Sequence, residues 1–157
     1  MVNVTHIEQP LPVPFEIATV GDAMSPGVIS CPPETPLRVV ARMMSTFNVH
    51  SVFVFEHQDE DDEDRQLWAV VSDLDLVAAA QLDLDVRTAG ESAVTPLVSV
   101  PADVPLQDAG ELMSQHGVHH LAVIDPVTKR PLGVVSTLDI ARSIAADHGP
   151  RETHASA

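Results

Sequence analysis

The sequence predicts an α+β fold built from two β-α-β-β-α repeats, and three observations lead there. Residues 36–49 (PLRVVARMMSTFNV) and 105–118 (PLQDAGELMSQHGV) align without gaps at an offset of 69, and self-similarity at a fixed offset marks a repeated architecture. In both copies, runs rich in Val and Ile alternate with segments of helical period, which read as strands and helices. Apolar residues make up 45% of the chain but aromatic ones only 3%, with no Tyr and Trp68 as the single Trp. A core can therefore form, and it must be aliphatic. At 157 residues the chain suits one domain, or two small repeats sharing a core.

Residues 1–19 are Pro-rich and are expected to form an irregular extension. The first repeat is placed at 20–82 and the second at 90–146, with a polar connector over 81–92 centred on a linker at 83–89. VISCP (28–32) matches VSVP (98–101), two short β-branched runs closed by proline and read as strands. In the helices that follow, Leu37, Val40, Ala41 and Met44 fall on i, i+3, i+4, i+7, as do Leu106, Ala109, Gly110 and Met113. Each set makes one apolar face, and Pro36 or Pro105 suits the first turn. Ser51–Phe55 and His120–Ile124 are nearly continuous apolar runs, the pattern of strands buried on both faces. Trp68–Val71 and Leu132–Val135 each read as another buried strand, joined to the preceding one through a hairpin. Ser72-Asp-Leu-Asp75 and Ser136-Thr-Leu-Asp139 follow, each opening a short helix with Leu74, Val77 and Ala78, or Leu138, Ala141 and Arg142, at helical spacing.

Charge narrows the function classes. Eight Lys and Arg stand against 23 Asp and Glu, a net charge of −15. Such a chain repels phosphate backbones and is not expected to bind nucleic acid. Residues 56–64 (EHQDEDDED) hold seven carboxylates in nine positions, so the rest of the chain carries −8. The repeat offset drops from 69 to 64 across this stretch, which places an acidic insert (56–66) at a hairpin tip, where charge is tolerated. It lacks the alternating ligands and turn glycine of an EF-hand. One cysteine, Cys31, excludes a disulfide framework and reads as a small buried hydrophobe. No apolar run reaches 18 residues, and the N-terminus lacks a signal-peptide pattern. The expectation is a cytoplasmic protein without membrane contact, with residues 147–157 as a frayed tail.

Three motifs carry a resemblance. They are Val20-Gly-Asp-Ala-Met-Ser-Pro26, Gly117-Val-His-His-Leu-Ala-Val-Ile-Asp125 and Gly133-Val-Val-Ser136-Thr-Leu-Asp139. Their order, repeated twice over residues 20–146, resembles a tandem pair of CBS (cystathionine β-synthase) domains. The chain departs from the family pattern at Ala69, which replaces a motif glycine, and at Phe53 and Ala122, where proline is frequent. The resemblance implies that the repeats pack sheet against sheet and that pairs associate into homodimers. It also implies a regulatory, non-catalytic module whose clefts take an adenosyl ligand such as AMP, ADP, ATP or S-adenosylmethionine, with no required cofactor. An effector protein of unknown identity would receive the signal.

The Ser-x-x-Asp spacing has a meaning of its own. Ser136 can cap a helix and Asp139 can close a capping box, which needs no ligand at all. The same helix start offers amides and positive potential to phosphate, and an ionised carboxylate can accept from a ribose diol. Carried over from the family, Asp139 and Asp75 are ribose candidates, Ser136, Thr137 and Ser72 phosphate-side candidates, and strands 28–31 and 97–100 (Val98, Ser99, Val100) adenine-side candidates. His119, His120 and Arg142 could offset phosphate charge in the second cleft. The first cleft has His50 and Ser51 at the matching entrance and Val77 and Ala78 near the Arg142 position, so it is poorer in cations. No catalytic residues and no metal ligands are assigned. The cluster His116-x-x-His119-His120 raises zinc or nickel as an alternative, although adjacent strand residues face opposite sides. A ligand-free dimerisation scaffold is the other alternative.

Overall fold

The computed structural model describes residues 13–55 and 66–146. The acidic insert (except residue 66), the tail and residues 1–12 lie outside them. In chain order the elements are α1 (Val20–Ala23), β1 (Ser25–Pro26), β2 (Ser30–Cys31), α2 (Leu37–Phe47), β3 (Ser51–Phe55), β4 (Leu67–Ser72), α3 (Asp73–Ala79), α4 (Ala89–Ser92), β5 (Ser99–Val100), α5 (Leu106–His116), β6 (His120–Ile124), β7 (Pro131–Ser136) and α6 (Thr137–Ala146). The α+β class and the tandem repeat are both present.

Two sheets form. One has the order β2-β3-β4, with β2 parallel and β4 antiparallel to β3. The other has the order β1-β7-β6-β5, with β5 parallel and β7 antiparallel to β6. Phe53, Val70 and Ala122 are buried together with Val28, Leu97 and Val134 around them, an apolar layer drawn from both sheets. Each sheet also carries its own core on its helical side. Leu37, Val40, Val52, Val54 and Val71 build the first, and Leu106, Met113, Leu121, Val123 and Val135 the second. Cys31 belongs to the first core, and burial pushes its thiol above the ordinary value, against a Thr35 hydrogen bond that lowers it.

The helices α2 and α5 bury the expected faces: Leu37, Val40 and Met44, and Leu106, Ala109 and Met113. Both end in a left-handed residue, Asn48 at φ 53° and Gly117 at φ 63°, a conformation that Gly and Asn accept at little cost. Pro36 and Pro105 stand one step earlier than the first turn expected for them. They are extended N-caps, because each backbone also bridges another strand of chain, Pro36 to Thr88 and Pro105 to Thr19.

Three expectations are corrected. Trp68 is 52% exposed, and β4 is fully buried only from Ala69 onward. The apolar face read into α3 points outward: Leu74 is 67% and Val77 70% exposed, while Asp75 and Ala79 are the buried residues. In α6, Leu138 is likewise exposed, and Ser143 is buried with Ile140 packed on the core. Helical spacing shows which side chains share a face. It does not show whether that face meets the core.

The repeats interlock. The amides of Val20 and Gly21 donate to the carbonyls of Val104 and Ala102, both at 2.8 Å, and those of Ala89 and Gly90 donate to Thr35 and Pro33, both at 2.8 Å. These pairs are equivalent at the offset of 69. The stretch leading into each repeat therefore docks on the other: Ala18 and Val20 complete the second core, and Ala89 completes the first. In continuation, β1 pairs antiparallel with β7, Pro26 opposite Gly133. A Cβ on Gly133 would lie 2.2 Å from the Ser25 carbonyl oxygen. The glycine of this motif is thus required by the chain's own backbone.

Gly133→Ala should therefore destabilise the fold by about 1–3 kcal/mol, the usual cost of overpacking, and lower the melting temperature by several degrees. Gly110→Ala is the control, because its Cβ would meet only the flexible Ile140 Cδ1, at 3.3 Å. Equal melting temperatures for the two variants would contradict the close approach of β1.

Candidate functional site

Both Ser-x-x-Asp motifs form reciprocal caps at a strand-to-helix junction. Asp139 Oδ2 accepts from the Ser136 amide at 2.8 Å and from its hydroxyl at 2.9 Å, and the Asp139 amide donates back to Ser136 Oγ at 3.2 Å. Asp75 Oδ2 accepts from the Ser72 amide at 2.9 Å, and the Asp75 amide donates to Ser72 Oγ at 3.2 Å. The local rule is obeyed twice, with Asp in place of the usual Glu. What distinguishes the two copies is their surroundings.

Ser136, Asp139 and Arg142 line a cavity of about 460 Å³. Its opposite wall comes from the first half of the chain: the turn Ser25–Ile29, and Phe47 to Ser51 at the end of α2 and start of β3. Gly27 in that turn has φ +76°, and β1 is held there by its pairing with β7. The strand run that accompanies Asp139 is therefore 25–29. Of the 98–100 run, Val100 is buried in the second core with Val98 packed against it, and Ser99 lines a separate cavity with Leu97 and Lys129.

The histidines divide. His120 lies beside Ser136 in the β6–β7 register and opens onto the cavity. Its ring stacks on His50, from the other repeat, with centroids 6.3 Å apart and an interplanar angle of 25°. His50 Nδ1 lies 3.0 Å from Asp73 Oδ2. His119 and Thr137 instead line a mostly apolar groove of about 340 Å³ between α5 and α6. The cluster of His116, His119 and His120 raised as the metal alternative is not brought together as a three-ligand group among the described residues. Among the described residues no group of three His, Cys, Asp or Glu side chains is placed to hold a metal ion.

Sequence reading missed Phe47, His50 and the Ser25–Gly27 turn as neighbours of Asp139. The repeat alignment assigned His50 to the first cleft, and nothing in the local pattern announces that it crosses to meet His120.

Electrostatics at this mouth are finely opposed. Burial holds His120 below the ordinary imidazole value. The charges of His50 and His119 act in the same direction, while Asp73 and Asp139 pull it up. Burial raises the Asp73 carboxyl, but hydrogen bonds from His50 and the Leu74 amide, with the nearby imidazoles, outweigh it and leave Asp73 below the ordinary carboxylate value. The Arg142 guanidinium lies 3.7 Å from Asp139 Oδ1.

Comparison with known proteins follows this geometry. The CBS domain model matches residues 20–81 and 89–146. Hypoxic response protein 1 of Mycobacterium tuberculosis is 30% identical over 131 residues, covering 82% of this chain and 86% of the relative. The crystal structure of Hypoxic Response Protein I with two coordinated zinc ions superposes with a TM-score of 0.61 at 29% identity, over 80% of this chain and 98% of that one. A CBS domain protein from Pyrobaculum aerophilum complexed with AMP gives a TM-score of 0.66 at 26% identity, over 81% and 98% of the two chains. A CBS domain pair in complex with 5′-methylthioadenosine and S-adenosyl-L-methionine gives 0.71 at 20% identity, over 83% and 98%, which shows the shared fold.

His120 sets a pH dependence whose sign follows from its depressed value. The unfolded chain takes up the proton first, so this contribution to stability is complete above the ordinary value of 6.5 and is lost as pH falls below it. The Asp73 contribution is present above 3.8 and is lost only at lower pH. Thermal melts from about pH 7 to about pH 5 should show a smaller loss in His120→Gln than in the wild type. NMR titration should find His120 below 6.5; a value at or above that figure would contradict the burial argument.

Proposed function

The chain belongs to the CBS domain family, and we propose that it is a regulatory, non-catalytic CBS pair that binds an adenosine-containing ligand beside Asp139. The observation that carries this reading is the composition of the 460 Å³ cavity, whose walls come from both repeats. A ligand seated there touches both halves at once.

The roles follow from chemistry. Asp139 accepts from the ribose diol, since an ionised carboxylate is an acceptor only. Ser136, already bonded to Asp139 through a hydroxyl that is free to rotate, faces the phosphate side. Arg142 supplies positive charge at the cavity, and the His50–His120 pair offers ring nitrogens as hydrogen-bonding groups. Val28, Ile29 and the exposed ring of Phe47 offer apolar surface to a base. The Pyrobaculum relative, solved with AMP, and the CBS pair solved with S-adenosyl-L-methionine point to the same ligand class. The Asp139 carboxylate set beside the Arg142 guanidinium suits either AMP or the cationic S-adenosylmethionine.

Binding would favour the arrangement of repeats that closes the cleft, by no more than the ligand's differential affinity for the two states. An effector protein would read that arrangement. The exposed apolar residues Leu74 and Val77 on α3 and Leu138 and Ile144 on α6 fit a face covered by a second copy of the chain, so the working form is a homodimer. Zinc binding is the second reading, favoured by the hypoxic response protein structure with its two zinc ions. Here it would start from His50 and His120.

A thermal-shift panel of AMP, ADP, ATP, S-adenosylmethionine and zinc, on protein free of a His tag, separates these readings. A ligand at 100 times its Kd adds about 2.7 kcal/mol, several degrees for a chain of this size. The shift should appear with an adenosyl compound and vanish in Asp139→Ala. A shift with zinc alone would replace the proposal. No shift at all, in a protein sedimenting at twice its 16.8 kDa mass, would leave a ligand-free scaffold, and sedimentation as a monomer would remove the dimer.

A further inference from the structure

The two Ser-x-x-Asp sites are equivalent in sequence but not in bonding. At Asp75, a third residue intrudes. The Thr95 hydroxyl donates to Asp75 Oδ2 at 2.8 Å. Thr95 Oγ1 also lies 3.0 Å from Ser72 Oγ. Since the Thr95 proton is committed to the carboxylate, the Ser72 proton must point to Thr95. The result is a closed relay from Ser72 to Thr95 to Asp75, with the Ser72 amide on the same carboxylate oxygen. Both acceptor positions of Asp75 Oδ2 are thus filled, and the residue is only 7% exposed.

Thr95 is not free to swing away. Its backbone is pinned to β4 by a bridge to Val70, two residues before Ser72. Its counterpart in the second cleft is Ser25, which sits opposite Val134 in the same way. Ser25 is exposed and lines the Asp139 cavity, and among the described residues the bonds to Asp139 Oδ2 come from the amide and hydroxyl of Ser136. A hydroxyl rotation releases Ser136, whereas releasing Thr95 requires moving a docked segment.

Charge adds to the contrast. The first residue of α3 is Asp73, whose carboxylate accepts from the Leu74 amide at 2.8 Å. It places a negative charge at the helix start, where an anionic ligand would otherwise find favourable potential. The same position in α6 is Thr137. The Arg142 position is Ala78 in α3.

We infer that Thr95 acts as an internal occupant of the first cleft, substituting its own hydroxyl for that of a ribose, so that each chain binds one adenosyl ligand, at Asp139. The inference rests on the adenosyl reading above and goes further by assigning a selectivity residue that decides which cleft is open. Asp73 reinforces it against phosphorylated ligands.

Isothermal titration with AMP and with S-adenosylmethionine tests it. The wild type and Thr95→Ser, which keeps the hydroxyl, should bind one equivalent per chain, and Asp139→Ala should bind none. The double variant Thr95→Ala/Asp73→Thr should gain a second equivalent that persists when Asp139→Ala is added. Two equivalents in the wild type would overturn the inference while leaving the adenosyl reading intact. So would a folded double variant that still binds only one. Should the double variant fail to fold, the wild-type stoichiometry decides alone. Absence of binding in the wild type would fail the adenosyl reading itself, and the inference with it.

Discussion

The structure depends on the reciprocal docking of each repeat's leading segment on the other repeat. Among the described residues six amide-to-carbonyl bonds, three on each side and related by the offset of 69, seat these segments. Ala18 and Val20 on one side and Ala89 on the other then close the two cores. Burial of these apolar side chains provides the driving force. The backbone pairing sets the geometry and satisfies amides that would be costly to bury unpaired. Neither half completes its core alone, which is why two short repeats can share one stable unit.

The docking also creates the clefts. As β1 runs along β7, it carries Ser25–Ile29 to the wall opposite Asp139, and the missing Cβ of Gly133 lets the strand approach. On the other side, Thr95 is carried to Asp75 by the equivalent pairing with Val70. The same architectural event therefore opens one cleft and fills the other. The difference lies in a few residues: Ser25 or Thr95, Thr137 or Asp73, Arg142 or Ala78. A repeat protein can in this way keep a symmetric scaffold while giving its two sites different tasks.

Much of this was legible in the chain. The central strands β3 and β6 run over the residues predicted for them, because their continuous apolar runs have no other stable placement. The buried faces of α2 and α5 followed from period alone. The outward faces of α3 and α6 did not, since an apolar stripe reads the same whether it meets a core or another chain. Gly133 was visible as a motif residue, but its reason, the Ser25 carbonyl, is a contact across more than a hundred residues. The Thr95–Asp75 bond spans 20 residues and exists only once the leading segment is docked, so no local pattern announces it. His50 and His120 likewise meet only through the packing of one sheet on the other.

The central claim is that a single ligand bridges both repeats at Asp139. Amide chemical shifts of isotope-labelled protein, followed during titration with AMP, test it most directly. The account predicts concerted changes at Gly27 to Ile29 and at Ser136 to Asp139, tracking one saturation curve, with Ser72 and Asp75 undisturbed. Changes confined to one repeat, or centred on the groove around His119 and Thr137, would contradict it.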